Sequence, residues 1–166
     1  MSYKREAELI KLVKLFKNKF EVHADKYLDL GCGDGKILIE VSKILGTKEG
    51  YGLDINDNSL SIASKRGVRT FKINLNGEKF PFENNTFDFL SSFDIIHYLI
   101  NTDNLIREAY RVLKPRGYFI ITTVNLASWV NRLLLLSGYL PYFYETSPLI
   151  DTEERPLQRS HGVGAS

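Results

Sequence analysis

The sequence predicts an α/β domain built on a doubly wound, mostly parallel sheet, and three observations predict it. Short apolar runs alternate with runs of helical period, glycine punctuates most of the junctions, and a strand, a glycine loop and a helix follow one another near the N-terminus. At 166 residues the chain has room for one domain. Its expected extent is 1–150, with 151–166 a polar tail rich in turn formers to which no role is assigned.

The elements can be justified in order. Leu9, Val13, Phe16 and Phe20 recur at steps of four, three and four, while Lys4, Lys11, Lys14 and Lys17 fall mostly on other faces. That marks one amphipathic helix, whose apolar stripe is expected to pack on its own domain; the alternative for a basic amphipathic helix is a membrane surface. Strands are expected at Tyr27 to Leu30, Tyr51 to Leu53, Val68 to Ile73, Phe87 to Ser92 and Tyr118 to Thr123, all apolar enough for burial on both faces. Helices fill the intervals. Lys36 to Leu45 stops at Gly46, and Ser59 to Arg66, capped by Asn58, stops at Gly67. Asp103 to Leu113, capped by Thr102, stops before Pro115 and Gly117, and Leu126 to Leu136 stops at Gly138. Right-handed crossovers between such strands place the ligand crevice beyond their carboxyl ends. The apolar stretch Tyr118 to Phe143 is long enough to raise a membrane span, but Asn125, Asn131, Arg132 and Pro141 interrupt it.

Composition narrows the function. With 22 Lys and Arg against 20 Asp and Glu the net charge is +2, too little for a chain whose main task is neutralising phosphates, so no nucleic-acid partner is expected. Cys32 is the single cysteine and cannot form an internal disulfide, and no cationic segment with an apolar core and cleavage site opens the chain. A cytoplasmic location is expected, and no metal site.

The residues from Tyr27 to Lys36 read YLDLGCGDGK. Gly31, Gly33 and Gly35 can take positive φ and let a ligand approach the backbone, while the following helix presents unpaired N–H groups. A dinucleotide fingerprint would place its third glycine one residue later, where Lys36 stands, and Asp34 would repel a pyrophosphate. Asp29, just before the loop, suits a ligand carrying an ammonium group. Asp54 closes the second strand 19 residues after Gly35, where doubly wound folds place an acid that accepts from two ribose hydroxyls. The ligand therefore contains a ribose without a 2′-phosphate.

On these residues the sequence resembles a class I S-adenosylmethionine-dependent methyltransferase of the type 11 group. Four motifs match in order and spacing: LDLGCGDG from Leu28, YGLDIN from Tyr51, FPFENNTFDFL from Phe80 and REAYRVLKPRGYFIIT from Arg107. The resemblance implies a Rossmann-like methyltransferase fold with strand order 3-2-1-4-5, S-adenosylmethionine as cofactor and S-adenosylhomocysteine as product. It implies that Asp29 faces the methionine ammonium, with Gly31, Cys32, Gly33 and Gly35 presenting backbone to it. Asp54 would hold the ribose hydroxyls, Ile55 would pack on adenine, and Phe93 would line the pocket near the sulfonium. Asn74 and Leu75 follow the third strand where relatives carry an acid for the adenine amino group, and the Asn74 oxygen can still accept that bond. Cys32 reads as a small loop residue rather than a nucleophile.

Two further departures bear on activity. Where many relatives have an acidic residue followed by His, this chain has His97 and Tyr98. His97 is the candidate general base, against a packing role for the same ring, and methyl transfer often needs no base. The terminal antiparallel strand pair of the fold is not readable after Leu136; SGYLPYFYETSPL from Ser137, with Trp129, resembles the variable substrate cap. The outer strand is then expected to be covered by Leu126 to Phe143 folded back, or by pairing with another molecule as a homo-oligomer. Two readings follow. One is an enzyme methylating O, N or C of a small-molecule acceptor; the other is a noncatalytic or truncated cofactor-binding domain.

Overall fold

Residues 3–123, 125 and 128–139 are described by a computed structural model. The chain divides after Thr122 into two units. The first contains α1 (Tyr3–Phe20), β1 (Lys26–Leu30), α2 (Lys36–Leu45), β2 (Glu49–Asp54), α3 (Asp57–Lys65), β3 (Arg69–Lys72), β4 (Phe87–Phe93), a 3-10 turn (Ile96–Tyr98), α4 (Thr102–Val112) and β5 (Leu113–Thr122). The second contributes α5 (Trp129–Leu136).

The sheet has the expected order, β3-β2-β1-β4-β5, and every pairing is parallel. Side chains that alternate along β1 feed two cores. Tyr27 joins Leu9 and Val13 of α1, Leu38, Val41 and Leu45 of α2, and Phe89 of β4. Leu28 and Leu30 join Leu53, Phe80, Leu90 and, from α4, Leu105, Ala109 and Val112. Asp29 and Ser91 thus share the face of Tyr27 and Phe89, and polar groups are carried into the sheet interior. The stripe read on α1 packs on its own domain, as Leu9 and Val13 are buried and Phe16 sets its ring edge against Tyr118 at 5.2 Å.

Local boundaries differ from the sequence reading for identifiable reasons. The cap of α3 is Asn56 rather than Asn58, its Oδ1 accepting from Ser59 N–H at 3.0 Å, so Asp57 enters the first turn. The cap of α4 is Asn101 rather than Thr102, bonded to Asn104 N–H at 3.1 Å. Ser128 caps α5, which starts at Trp129, and the expected start at Leu126 lies outside the described residues. β3 is shorter than expected, and β5 starts at Leu113, five residues early. Leu113 pairs with Phe87, and a register shift between Phe87 and Phe89 absorbs Pro115, Arg116 at φ 67° and Gly117. A Cβ on Gly117 would lie 3.0 Å from the Asp88 carbonyl oxygen, so the close approach there requires glycine.

Side chains of α4 hold the interval between β3 and β4: Asn104 donates to the carbonyls of Leu75 and Glu78 at 3.1 and 3.2 Å. Arg111 donates to the carbonyls of Phe80 and Phe82 at 3.0 and 2.7 Å and to Glu108, whose Oε2 accepts from Phe80 N–H at 2.9 Å. No helix among the described residues is long and apolar enough to cross a membrane. The aromatic run from Ser137 lies outside the described residues beyond Tyr139, as do the tail 151–166 and any strand pair there.

Candidate functional site

The glycine loop folds over the carboxyl end of β2. Gly31 and Cys32 N–H both donate to the Leu53 carbonyl, at 2.8 and 2.9 Å, and Gly35 N–H closes the turn on Cys32 at 3.0 Å. Gly31 has φ 85°, and a Cβ there would stand 2.3 Å from Ile95 Cγ1. Gly33, at φ 52°, is different, because a Cβ there would meet nothing within 4 Å. One glycine is required by the protein's own packing, and the other opens on empty space at the crevice.

Asp54 binds the loop from below. Its Oδ2 accepts from Gly33 N–H at 2.8 Å and its Oδ1 from Asn56 N–H at 2.9 Å. A carboxylate has about four acceptor sites, so each oxygen keeps one for a further donor. Two acceptors at the spacing of one carboxylate suit vicinal hydroxyls, and the next side chain, Ile55, is 59% exposed and offers a bare apolar surface. A pair of acceptors beside an apolar face fits a nucleoside.

Asp29 is 3% exposed. Ser91 Oγ donates to its Oδ1 at 2.5 Å and is itself bonded to the Tyr27 hydroxyl at 2.6 Å. Burial pushes the Asp29 carboxyl up from 3.8 to about 7, with the nearby Asp54 charge adding to the rise and the Ser91 bond opposing it. A buried carboxylate with one hydrogen-bond donor among the described residues lacks a cation, which a ligand ammonium would supply.

Asp34 departs from its expected role. Arg66 donates to its carboxylate at 2.7 Å and to its carbonyl at 2.9 Å, and Lys36 N–H donates at 3.2 Å. Burial pulls this group up, but the Lys36 N–H and Arg66 outweigh it and hold the carboxyl below its usual range. The charge is committed to tying the loop to the end of α3, so its repulsion of a phosphate is partly neutralised.

Asn74 is exposed at the end of β3 and its Oδ1 accepts from Asn76 N–H at 3.0 Å, while Leu75 is buried and its carbonyl accepts from Asn104. Phe93 is 5% exposed in the core cluster that includes Leu9 and Val13. Cys32 is also buried, its sulfur filling the space a Gly52 side chain would take, and burial pushes its thiol up, away from nucleophilic thiolate. His97 sits on the 3-10 turn with its ring 4.2 Å from that of Tyr98, and its Nδ1 is buried without a hydrogen-bond partner among the described residues. Among those residues no cluster of His, Cys, Asp or Glu is able to hold a metal ion.

Sequence reasoning missed the ion pairs that tie α1 to the residues following β4 and the glycine loop. Arg5 forms a two-pronged ion pair with Asp94, which follows β4 at φ 57° and also accepts from Thr122 Oγ1 at 3.1 Å. Glu6 pairs with Lys36 at 2.5 Å. These contacts join residues 89 and 30 positions apart, and no periodicity announces them.

A family model described as a methyltransferase domain matches residues 28–121. The malonyl-[acyl-carrier protein] O-methyltransferase of Marinomonas sp. is 32% identical over 108 residues, which are 63% of this chain and 40% of that protein. The crystal structure of an S-adenosylmethionine dependent methyltransferase from Mesorhizobium loti aligns at TM-score 0.55 and 25% identity over 61% of this chain and 47% of that one. The PH0226 protein of Pyrococcus horikoshii aligns at TM-score 0.67 and 26% identity, covering 84% of this chain and 68% of its own. The chain thus spans less than half the length of the first two.

Proposed function

The chain belongs to the methyltransferase domain family, and from that premise we propose that it transfers the methyl group of S-adenosylmethionine to O, N or C of a small-molecule acceptor. S-adenosylmethionine is the cofactor of this family and S-adenosylhomocysteine its product. The observation that carries the reading is Asp54, whose two oxygens each bind one backbone N–H and keep one acceptor site beside the open face of Gly33.

In this reading Asp54 accepts from the two ribose hydroxyls, Ile55 lies under the adenine and Asn74 with Leu75 borders it. Asp29 neutralises the ammonium, and the backbone of Gly31 to Gly35 lies along the methionine portion. The bound cofactor supplies an electrophilic methyl on a sulfonium. The protein's own contribution is then orientation, since holding an acceptor in line with that methyl supplies most of the rate. Phe93 stiffens the floor from the core side. His97, on the 3-10 turn that follows β4, is the candidate base for an acceptor that must lose a proton.

The test is turnover, with labelled S-adenosylmethionine and a panel of hydroxyl, amine and activated-carbon acceptors followed by mass spectrometry. Label in any acceptor supports the enzyme, and His97→Ala then lowers kcat with cofactor affinity unchanged. Binding of S-adenosylhomocysteine with no transfer to any acceptor leaves a cofactor-binding domain instead.

A further inference from the structure

We infer that the Tyr27 and Ser91 hydroxyls form a buried chain that favours the charged form of Asp29 against its burial, so that these two residues tune the affinity of the site for a cationic amino-acid ligand and its dependence on pH. The inference rests on the assignment of Asp29 to the cofactor ammonium.

The direction of the chain follows from counting hydrogens. Ser91 has one O–H, and an ionised Asp29 can only accept, so that hydrogen goes to Asp29 Oδ1 across the 2.5 Å contact. The 2.6 Å bond between Tyr27 and Ser91 must then run from the phenol to the serine oxygen. Tyr27 and Ser91 are both 0% exposed, so neither is exposed to bulk water and the order Tyr27 to Ser91 to Asp29 is fixed by the strands that carry them. Register holds them together, since Tyr27 pairs with Phe89 and Asp29 with Ser91 across adjacent parallel strands. A phenol donating to a hydroxyl sharpens that hydroxyl as a donor, so the two bonds strengthen each other in a medium that screens little.

This is an unusual position for three polar side chains. Their neighbours on the same face are Leu9, Val13, Leu38, Phe89 and Phe93, which offer no hydrogen bond. Fixing Oδ1 on Ser91 leaves Oδ2 as the acceptor without a protein donor among the described residues. The other charges around the group are already placed: Asp54 of β2 acts against ionisation, Arg5 of α1 is paired with Asp94, and Glu6 of α1 with Lys36 of α2. Tyr27 and Cys32, beside it, are both pushed up by burial and remain neutral. Among the described residues no cation pairs with Asp29, and the hydroxyl chain is what the fold provides in its stead. Since Asp29 rises to about 7, cofactor binding below that pH expels a proton from it.

The experiment measures S-adenosylhomocysteine affinity by calorimetry from pH 5.5 to 8.5, in buffers of differing ionisation enthalpy, for the wild type, Ser91→Ala, Tyr27→Phe and Asp29→Asn. Wild-type affinity should weaken as pH falls through about 7, with about one proton released per ligand on the acid side. Ser91→Ala should move that midpoint up and weaken binding at pH 6.5 about tenfold, converging on the wild type at pH 8.5. Tyr27→Phe, which preserves volume, should shift it in the same direction by less, and it serves alone if Ser91→Ala does not fold. An unshifted midpoint in folded variants whose affinity still depends on Asp29 overturns the hydroxyl chain and leaves the site assignment standing. Full affinity in Asp29→Asn, or no binding by the wild type, overturns the assignment and the chain with it.

Discussion

Replacing Asp29 by Asn should make the ligand-free protein more stable while removing its ligand. The carboxyl moves from 3.8 in an unfolded chain to about 7 in the fold, so between these values the native state holds a proton that the unfolded state has lost. Stability from this group is present below pH 3.8, falls as pH rises toward 7 and is level above it. At about 1.4 kcal/mol per tenfold in the proton equilibrium, Asp29 costs the fold about 1.6 kcal/mol at pH 5 and about 4 kcal/mol at pH 8. Asn carries no such charge, keeps an oxygen for Ser91 and leaves an amide donor that costs about 1 to 3 kcal/mol if unmet. The net expectation is a gain of about 1 to 3 kcal/mol at pH 8 and, at pH 5, between a gain of about 0.6 and a loss of about 1.4 kcal/mol, read by urea unfolding of both proteins without ligand. Since the group is 3% exposed, salt should change this little. A variant destabilised by the same amount at both pH values would refute the reasoning, because the difference must change with pH if Asp29 is the titrating group.

Other outcomes follow from the same geometry. Asp54→Ala should weaken S-adenosylhomocysteine by about 1.5 to 3 kcal/mol in calorimetry, since charge-assisted bonds to the ribose and the Gly33 N–H go together. Gly31→Ala should cost about 2 to 4 kcal/mol of folding stability through the clash with Ile95 and its positive φ, whereas Gly33→Ala should cost about 1 to 2 kcal/mol and lose ligand instead; thermal melts and titration separate the two. Arg111→Ala should cost about 3 to 5 kcal/mol in chemical unfolding by stranding Glu108, 7% exposed, and the carbonyls of Phe80 and Phe82, and a loss under 1 kcal/mol would show that the segment between β3 and β4 is held otherwise.

The alternation of strands with helices and the glycine loop were legible because both are written locally, in apolar runs and in glycines whose positive φ the turn requires, whereas the strand order followed from the family resemblance. Other features depend on contacts that no local pattern carries. The run Asn56, Asp57, Asn58, Ser59 offers four residues able to cap α3, and only the register of the first turn selects Asn56. Pro115 and Gly117 read as breakers, yet pairing with β4 and the left-handed Arg116 carry the strand through them. Asp34 looked like a charge facing the ligand until Arg66, 32 residues on, took it. Asp29 and Asp54 could be named from spacing alone, but Ser91 lies in the middle of an apolar strand run and gains its meaning only from the residue opposite it on β1.

The central claim is that the crevice formed by the glycine loop and Asp54 takes an adenosine bearing an amino-acid tail. Calorimetric titration of the purified chain with S-adenosylhomocysteine and, separately, with NAD tests it most directly. Micromolar or tighter binding of S-adenosylhomocysteine with no detectable NAD is predicted; NAD binding in that range with none for S-adenosylhomocysteine would contradict the account.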